Sequence, residues 1–110
     1  MGIQAFTPLG NTIVFTANTT APTPVQAVSF TGGANQYRIV VPQGTNTVFL
    51  GFGVSSAAAN SNAVVITSST FTMPLLPGTD EILTFLPNAY FTGITIAGST
   101  LVYITPGDGV

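Results

Sequence analysis

The chain has 110 residues, 45% of them hydrophobic and 4% charged, with no Cys and no His, which is the length of one domain and too apolar for a disordered chain. An ordinary soluble domain carries about 25% charged residues, so solubility here rests on Thr, Ser, Asn, Gln and backbone groups. Without Cys there is neither a disulfide framework nor a thiolate metal site, and no apolar run approaches the ~18–20 residues of a membrane-spanning helix.

The opening Met1-Gly2-Ile3-Gln4-Ala5-Phe6 lacks the basic and apolar regions of a signal peptide, and Phe6 breaks the myristoylation pattern. Residues 1–11 are expected to form an N-terminal arm. Beyond the arm, β-branched residues and Phe dominate, and Pro or Gly recurs every several residues, the pattern of short strands and turns. Strands are expected over 12–16 and 25–30, joined by a stiff extended connector, Ala21-Pro22-Thr23-Pro24. Asn18-Thr19-Thr20 fits a glycosylation sequon, expected to be a chance match because no secretory route is expected. Thr31-Gly32-Gly33-Ala34-Asn35 supplies a turn before a strand over 36–41. Pro42-Gln43-Gly44-Thr45 fits a β-turn before a strand over 46–52.

Residues 54–62, with Ala57-Ala58-Ala59 inside, fit a short helical turn or equally a small-residue loop. Further strands are expected over 63–67, 71–75, 80–86, 89–96 and 100–105, with Pro74 to Gly78 and Ala97-Gly98-Ser99 as breaks. The fold expected is therefore all-β: an antiparallel β-sandwich, jelly-roll or immunoglobulin-like, of about eight short strands. One sandwich domain would span 12–106, with a C-terminal tail over 107–110.

Face usage is the informative detail. A half-solvated strand alternates apolar and polar residues. Here Val48, Leu50 and Phe52 share one face while Phe49 takes the other, and Tyr90, Ile94 and Ile96 oppose Phe91. Leu101 and Tyr103 likewise oppose Val102 and Ile104. One small core cannot take both faces of every strand. The surplus is exposed, covered by the chain's own loops, or covered by a partner. Interface candidates are Met1, Ile3 and Phe6 in the arm, Val54 and Ala58 in the small-residue stretch, and Phe49 and Phe91 on the strands.

Chemistry has little to work with. A nucleophilic triad needs a base, and there is no His, Lys or Cys. The acids are Asp80, Glu81 and Asp108; the first two are neighbours on a predicted strand and point to opposite faces. No calcium-loop pattern is present, and Gly51-Phe52-Gly53 lacks the rest of a dinucleotide fingerprint. No catalytic residue, cofactor or metal is expected. One cation against three acids leaves nothing to neutralise phosphates, so no nucleic-acid partner is expected. Arg38 is expected to pair with an acid, Glu81 first and Asp80 otherwise.

The second half runs Thr47-Val48-Phe49-Leu50-Gly51-Phe52-Gly53, then Met73-Pro74-Leu75-Leu76-Pro77-Gly78-Thr79-Asp80-Glu81-Ile82-Leu83. It closes with Leu101-Val102-Tyr103-Ile104-Thr105-Pro106-Gly107-Asp108-Gly109. This resembles a class of small tailed-bacteriophage virion proteins, over roughly residues 45–109. The resemblance implies a virion component on the capsid exterior: a decoration, or cement, protein bridging major-capsid subunits. Self-association, with a trimer as the first expectation, follows from the two-faced apolar strands and scarce charge. The alternatives are a tail or head-fibre component, or a carbohydrate-binding module using Tyr37, Tyr90 or Tyr103 as a stacking platform.

Overall fold

The computed structural model describes residues 6–30, 34–42 and 46–109. In chain order these form β1 (Thr7–Pro8), β2 (Ile13–Ala17), β3 (Val25–Gln26), β4 (Gln36–Val40) and β5 (Val48–Gly53). Helix α1 (Ser56–Asn62) is next, then β6 (Met73–Leu75), β7 (Asp80–Thr84), β8 (Tyr90–Ile94) and β9 (Thr100–Asp108). No helix among the described residues is long and apolar enough to cross a membrane.

The strands form two antiparallel sheets packed as a sandwich. In the first, β9 is flanked by β1 and β2 on one side and by β4 on the other, with β7 beyond β4. The second runs β3-β8-β5-β6. The pairs β5–β6, β4–β7, β3–β8 and β2–β9 are nested like rungs of one long hairpin whose apex holds α1. Rolling that hairpin drops alternate rungs onto opposite sheets and brings β9 beside β4 and β8 beside β5. This is jelly-roll topology, which decides between the two sandwich types the sequence left open.

The core fills the space between the sheets. Phe15, Tyr37, Ile39, Val102 and Ile104 come from the first sheet, and Val48, Leu50, Leu75 and Phe91 from the second. Tyr37 is fully buried, yet its hydroxyl is satisfied: it donates to the Leu86 carbonyl and accepts from the Ala89 N–H. The hydroxyl therefore ties β4 to the connection between β7 and β8.

Several expectations change. Residues 63–67 form no strand. Ser55 caps α1 by accepting from the Ala58 N–H, and both sides of β5 are already taken by β6 and β8, so the Val64-Val65-Ile66 run has no ladder to join. Of the strand expected over 25–30, only Val25–Gln26 forms a ladder, and Ser29 is left in an isolated bridge. Beyond it, Asn88, with φ of 52°, turns its side chain to accept from the Ser29 N–H, replacing a ladder bond by a side-chain bond. The two short ends are stitched in as well. β1 pairs with Gly107 and Asp108, and Gly10 bridges Ser29, so residues 7–10 of the expected arm and 107–108 of the expected tail belong to the sandwich. Pro106 sits within β9 without breaking it. Its carbonyl accepts from Leu9 N–H in the gap where the partner of β9 changes from β2 to β1, so its missing N–H faces that same gap.

Candidate docking surfaces

Two surfaces are built from side chains that the core does not use. The first is the outer face of the β2-β9-β4-β7 sheet. Strand alternation sends Phe15, Val102, Ile104 and Ile39 inward, so their neighbours point outward. The register lines up Val14, Tyr103, Val40 and Asp80 in one row across the sheet. Thr12, Thr105, Arg38 and Ile82 form the next row, and the Thr12 and Thr105 hydroxyls share a hydrogen bond of 2.7 Å. Val14 and Leu101 are exposed on this face. Phe6, Pro8, Gly10, Thr12, Arg38, Ile82 and Thr105 line a shallow depression of about 560 Å³ at one end. There the Phe6 ring lies over Gly107, so closely that a Cβ at 107 would collide with it.

The only ion pair among the described residues crosses this face. Arg38 binds Asp80 through two bonds, Nε to Oδ1 at 2.9 Å and Nη2 to Oδ2 at 2.8 Å. Both side chains are about half exposed, at 50% and 52%. The hydrogen bond to Arg38 holds the Asp80 carboxyl below its ordinary value, and the reciprocal bond raises Arg38. The expected partner Glu81 is not used. It lies opposite Ile39, on the other side of the strand from Arg38 and Asp80.

The second surface is an aromatic cleft of about 530 Å³, lined by Phe52, Gly53, Val54, Asn62, Phe71, Thr84, Phe85 and Leu86. It is the outer end of an aromatic chain. Tyr37 meets Phe91 at 5.0 Å between ring centroids, Phe91 meets Phe85 at 5.5 Å, and Phe85 meets Phe52 at 4.4 Å. Phe71 meets Phe52 at 5.0 Å with the rings tilted by 55°, and is itself exposed. The sequence reading passed over Phe71, Phe85 and Leu86. In the sequence they fall inside the strands expected over 71–75 and 80–86, and only the shorter strands of the structure free them to line a cleft.

The remaining interface candidates separate. Met1 and Ile3 lie outside the described residues. Val54 is exposed, at the rim of the cleft. Ala58 is half-buried because α1 packs on the outer side of β5. There Gly51 and Gly53 carry no side chain, and a Cβ at either would run into Ala59 and Ala63 or into Ala58. Phe91 is a core residue, fully buried. Phe49 is buried too, on the α1 side of β5, between Ile94 and Pro74 in the register. Phe49 and Phe91 are therefore withdrawn as contact residues. The second sheet hides its outer face under the chain's own helix and under the 21–24 connector, where Pro22 accepts from the Thr92 hydroxyl.

No protein-family model, curated protein or solved structure matches this chain. The two sheets thus differ in what covers them: the second is roofed by its own chain, and the first presents a broad face crossed by one internally neutralised ion pair.

Proposed function

We propose that the chain is a non-enzymatic structural protein of a virus particle, a capsid decoration protein that binds assembled major-capsid subunits through the outer face of the first sheet. The observation that carries this reading is that face. Val14, Val40, Leu101 and Tyr103 stand on a continuous sheet surface whose single cation is already paired. Such a surface suits adhesion by apolar area and backbone shape, with the desolvation of one doubly bonded ion pair as the main electrostatic cost of covering it. Jelly rolls build many viral coats, which is an analogy of fold and carries less weight than the face itself.

A decoration protein binds the intact shell in preference to its loosened subunits, and so stabilises it by mass action. Particles lacking the protein should therefore assemble and then lose DNA at lower temperature than complete ones. Purified protein at saturating occupancy should restore the difference. A Val14→Asp, Leu101→Asp double variant should melt cooperatively and fail to restore it. Stripped particles as heat-stable as complete ones would refute the cement role and favour a fibre component. A double variant that restores stability fully would refute the assignment of the face.

A further inference from the structure

Strand β7 is the free edge of the first sheet, pairing with β4 alone among the described residues. The Val41 N–H donates to the Thr79 carbonyl and the Phe85 N–H donates to the Asn35 carbonyl. Odd-numbered residues of this segment therefore turn their backbone groups toward β4. Alternation turns the N–H and C=O of Asp80, Ile82 and Thr84 outward. Such a row is a template for an added strand. Local side chains favour the addition, since Leu83 and Phe85 are partly buried against the core and the aromatic cleft opens alongside. The strand Asp80-Glu81-Ile82-Leu83-Thr84 contains no Pro and no Lys to discourage it.

Glu81 breaks this pattern. Its register partner is Ile39, a fully buried core residue, and Leu83 two positions on faces Tyr37, another. The Glu81 side chain thus leaves β7 on the core-facing side, in line with Leu83 and Phe85, at the rim of the sandwich. The chain's one cation, Arg38, is on the opposite face and already held by Asp80. We infer that Glu81 is a guard charge: projecting on the core-facing side of the free edge, it prevents a second copy of this chain from adding to β7.

The possible registers make the case. Outward-facing residues must pair with outward-facing residues, so antiparallel addition of β7 to β7 has three registers that join two or more of them. With Ile82 on Ile82, Glu81 lies opposite Leu83 of the second copy. With Asp80 on Ile82, it lies opposite the other Glu81. With Ile82 on Thr84, it lies opposite Phe85. Every register places a carboxylate against apolar surface or against its twin, and no copy brings a spare cation. A carboxylate desolvated in that way is strongly disfavoured. An inward-pointing charge is one of the devices by which solitary edges stay solitary.

The test compares Glu81→Val with Asp108→Asn, which removes one negative charge from an exposed strand end elsewhere. Light scattering is run from micromolar to millimolar concentration. The valine variant is expected to rise to about twice the wild-type mass, as a two-fold edge-to-edge pair requires. The Asp108→Asn protein should keep the wild-type mass. Adding Ile82→Cys should give a disulfide-linked pair under oxidation in the valine background and not beside wild-type Glu81, which separates this contact from self-association through any other face. Glu81→Gln should associate less strongly than valine and still above wild type; it decides the matter if the valine variant does not melt cooperatively. Wild-type mass for both Glu81 variants, or an equal rise for Asp108→Asn, would overturn the inference.

Discussion

The Tyr37 hydroxyl is the most exacting point in the core, and Tyr37→Phe removes it while leaving the ring in place. The ring keeps its contacts with Phe85 and Phe91 at 5.9 and 5.0 Å, so no cavity term enters. What is lost is one bond to the Leu86 carbonyl and one from the Ala89 N–H, at 3.1 Å. Leu86 is exposed and its carbonyl can be rehydrated. Ala89 is buried, and its N–H is left without a partner, at about 1–3 kcal/mol. A total near 2 kcal/mol lowers Tm by roughly 9 °C in a chain of 110 residues. The variant also carries a pH signature. Burial raises the Tyr37 phenol above its ordinary value of 10.0, more than the bonds from Ala89 and Asn88 lower it. A raised value in the folded state means a contribution fully present below about pH 10 and lost as pH rises through the folded value. Wild-type stability should therefore fall above pH 10 more steeply than that of Tyr37→Phe, and the gap between them should narrow. Urea melts of both proteins across that range measure it. A gap below about 0.5 kcal/mol at neutral pH, smaller than a single net hydrogen bond usually contributes, would refute the reasoning. So would parallel alkaline limbs.

Four further outcomes are set by the structure and the charge of the chain. Gly51→Ala drives a methyl into the Ala59 carbonyl and Ala63, and overpacking of this kind costs about 1–3 kcal/mol; urea melts should show the loss, and circular dichroism should show less helix. Arg38→Ala and Asp80→Asn should each have small effects that do not add in the double variant, and that shrink as salt rises, because the pair is solvated. The depressed Asp80 carboxyl makes this contribution present above the ordinary carboxylate range and lost as pH falls through the lowered value, so an acid titration of the melt should converge wild type and Asp80→Asn. With one cation and three acids per chain, particle binding measured by sedimentation should change less than tenfold between low and high salt.

Much of the fold was legible because its signals are local. β2, β4, β5, β7, β8 and β9 each fall where β-branched and aromatic residues lie between Pro or Gly breaks. The failures came from partners that local pattern cannot name. Val64-Val65-Ile66 reads as a strand and has no ladder to join. Phe49 reads as a surplus apolar residue seeking a partner, and only α1, folded back over Gly51 and Gly53, shows that the chain supplies the cover itself. The same two glycines stand in the sequence without any sign of what packs on them. Arg38 was correctly expected to meet an acid. Choosing Asp80 over Glu81 needed the β4–β7 register, since neighbouring residues on a strand lie on opposite faces.

The nested order of the rungs also sets the route by which the chain can reach its structure. Pairing β2 with β9 directly would close nearly the whole chain into one loop before any contact rewarded it, and contacts of such long range are slow to form. The apex gives a shorter way. β5 and β6 are separated only by residues 54–72, which include α1, so their closure is the least expensive in entropy. Once they meet, β4 and β7 need span only the short connections that join them to β5 and β6. β3 with β8 and β2 with β9 then join by the same increments, each small because loop entropy grows only logarithmically with length. Folding should therefore proceed from the helical tip toward the chain ends, with β1, β2 and β9 docking last. The same sequence run backward makes β1 and β2 the first to detach. In pulsed hydrogen exchange, amides of β5 and β6 should be protected before those of β2.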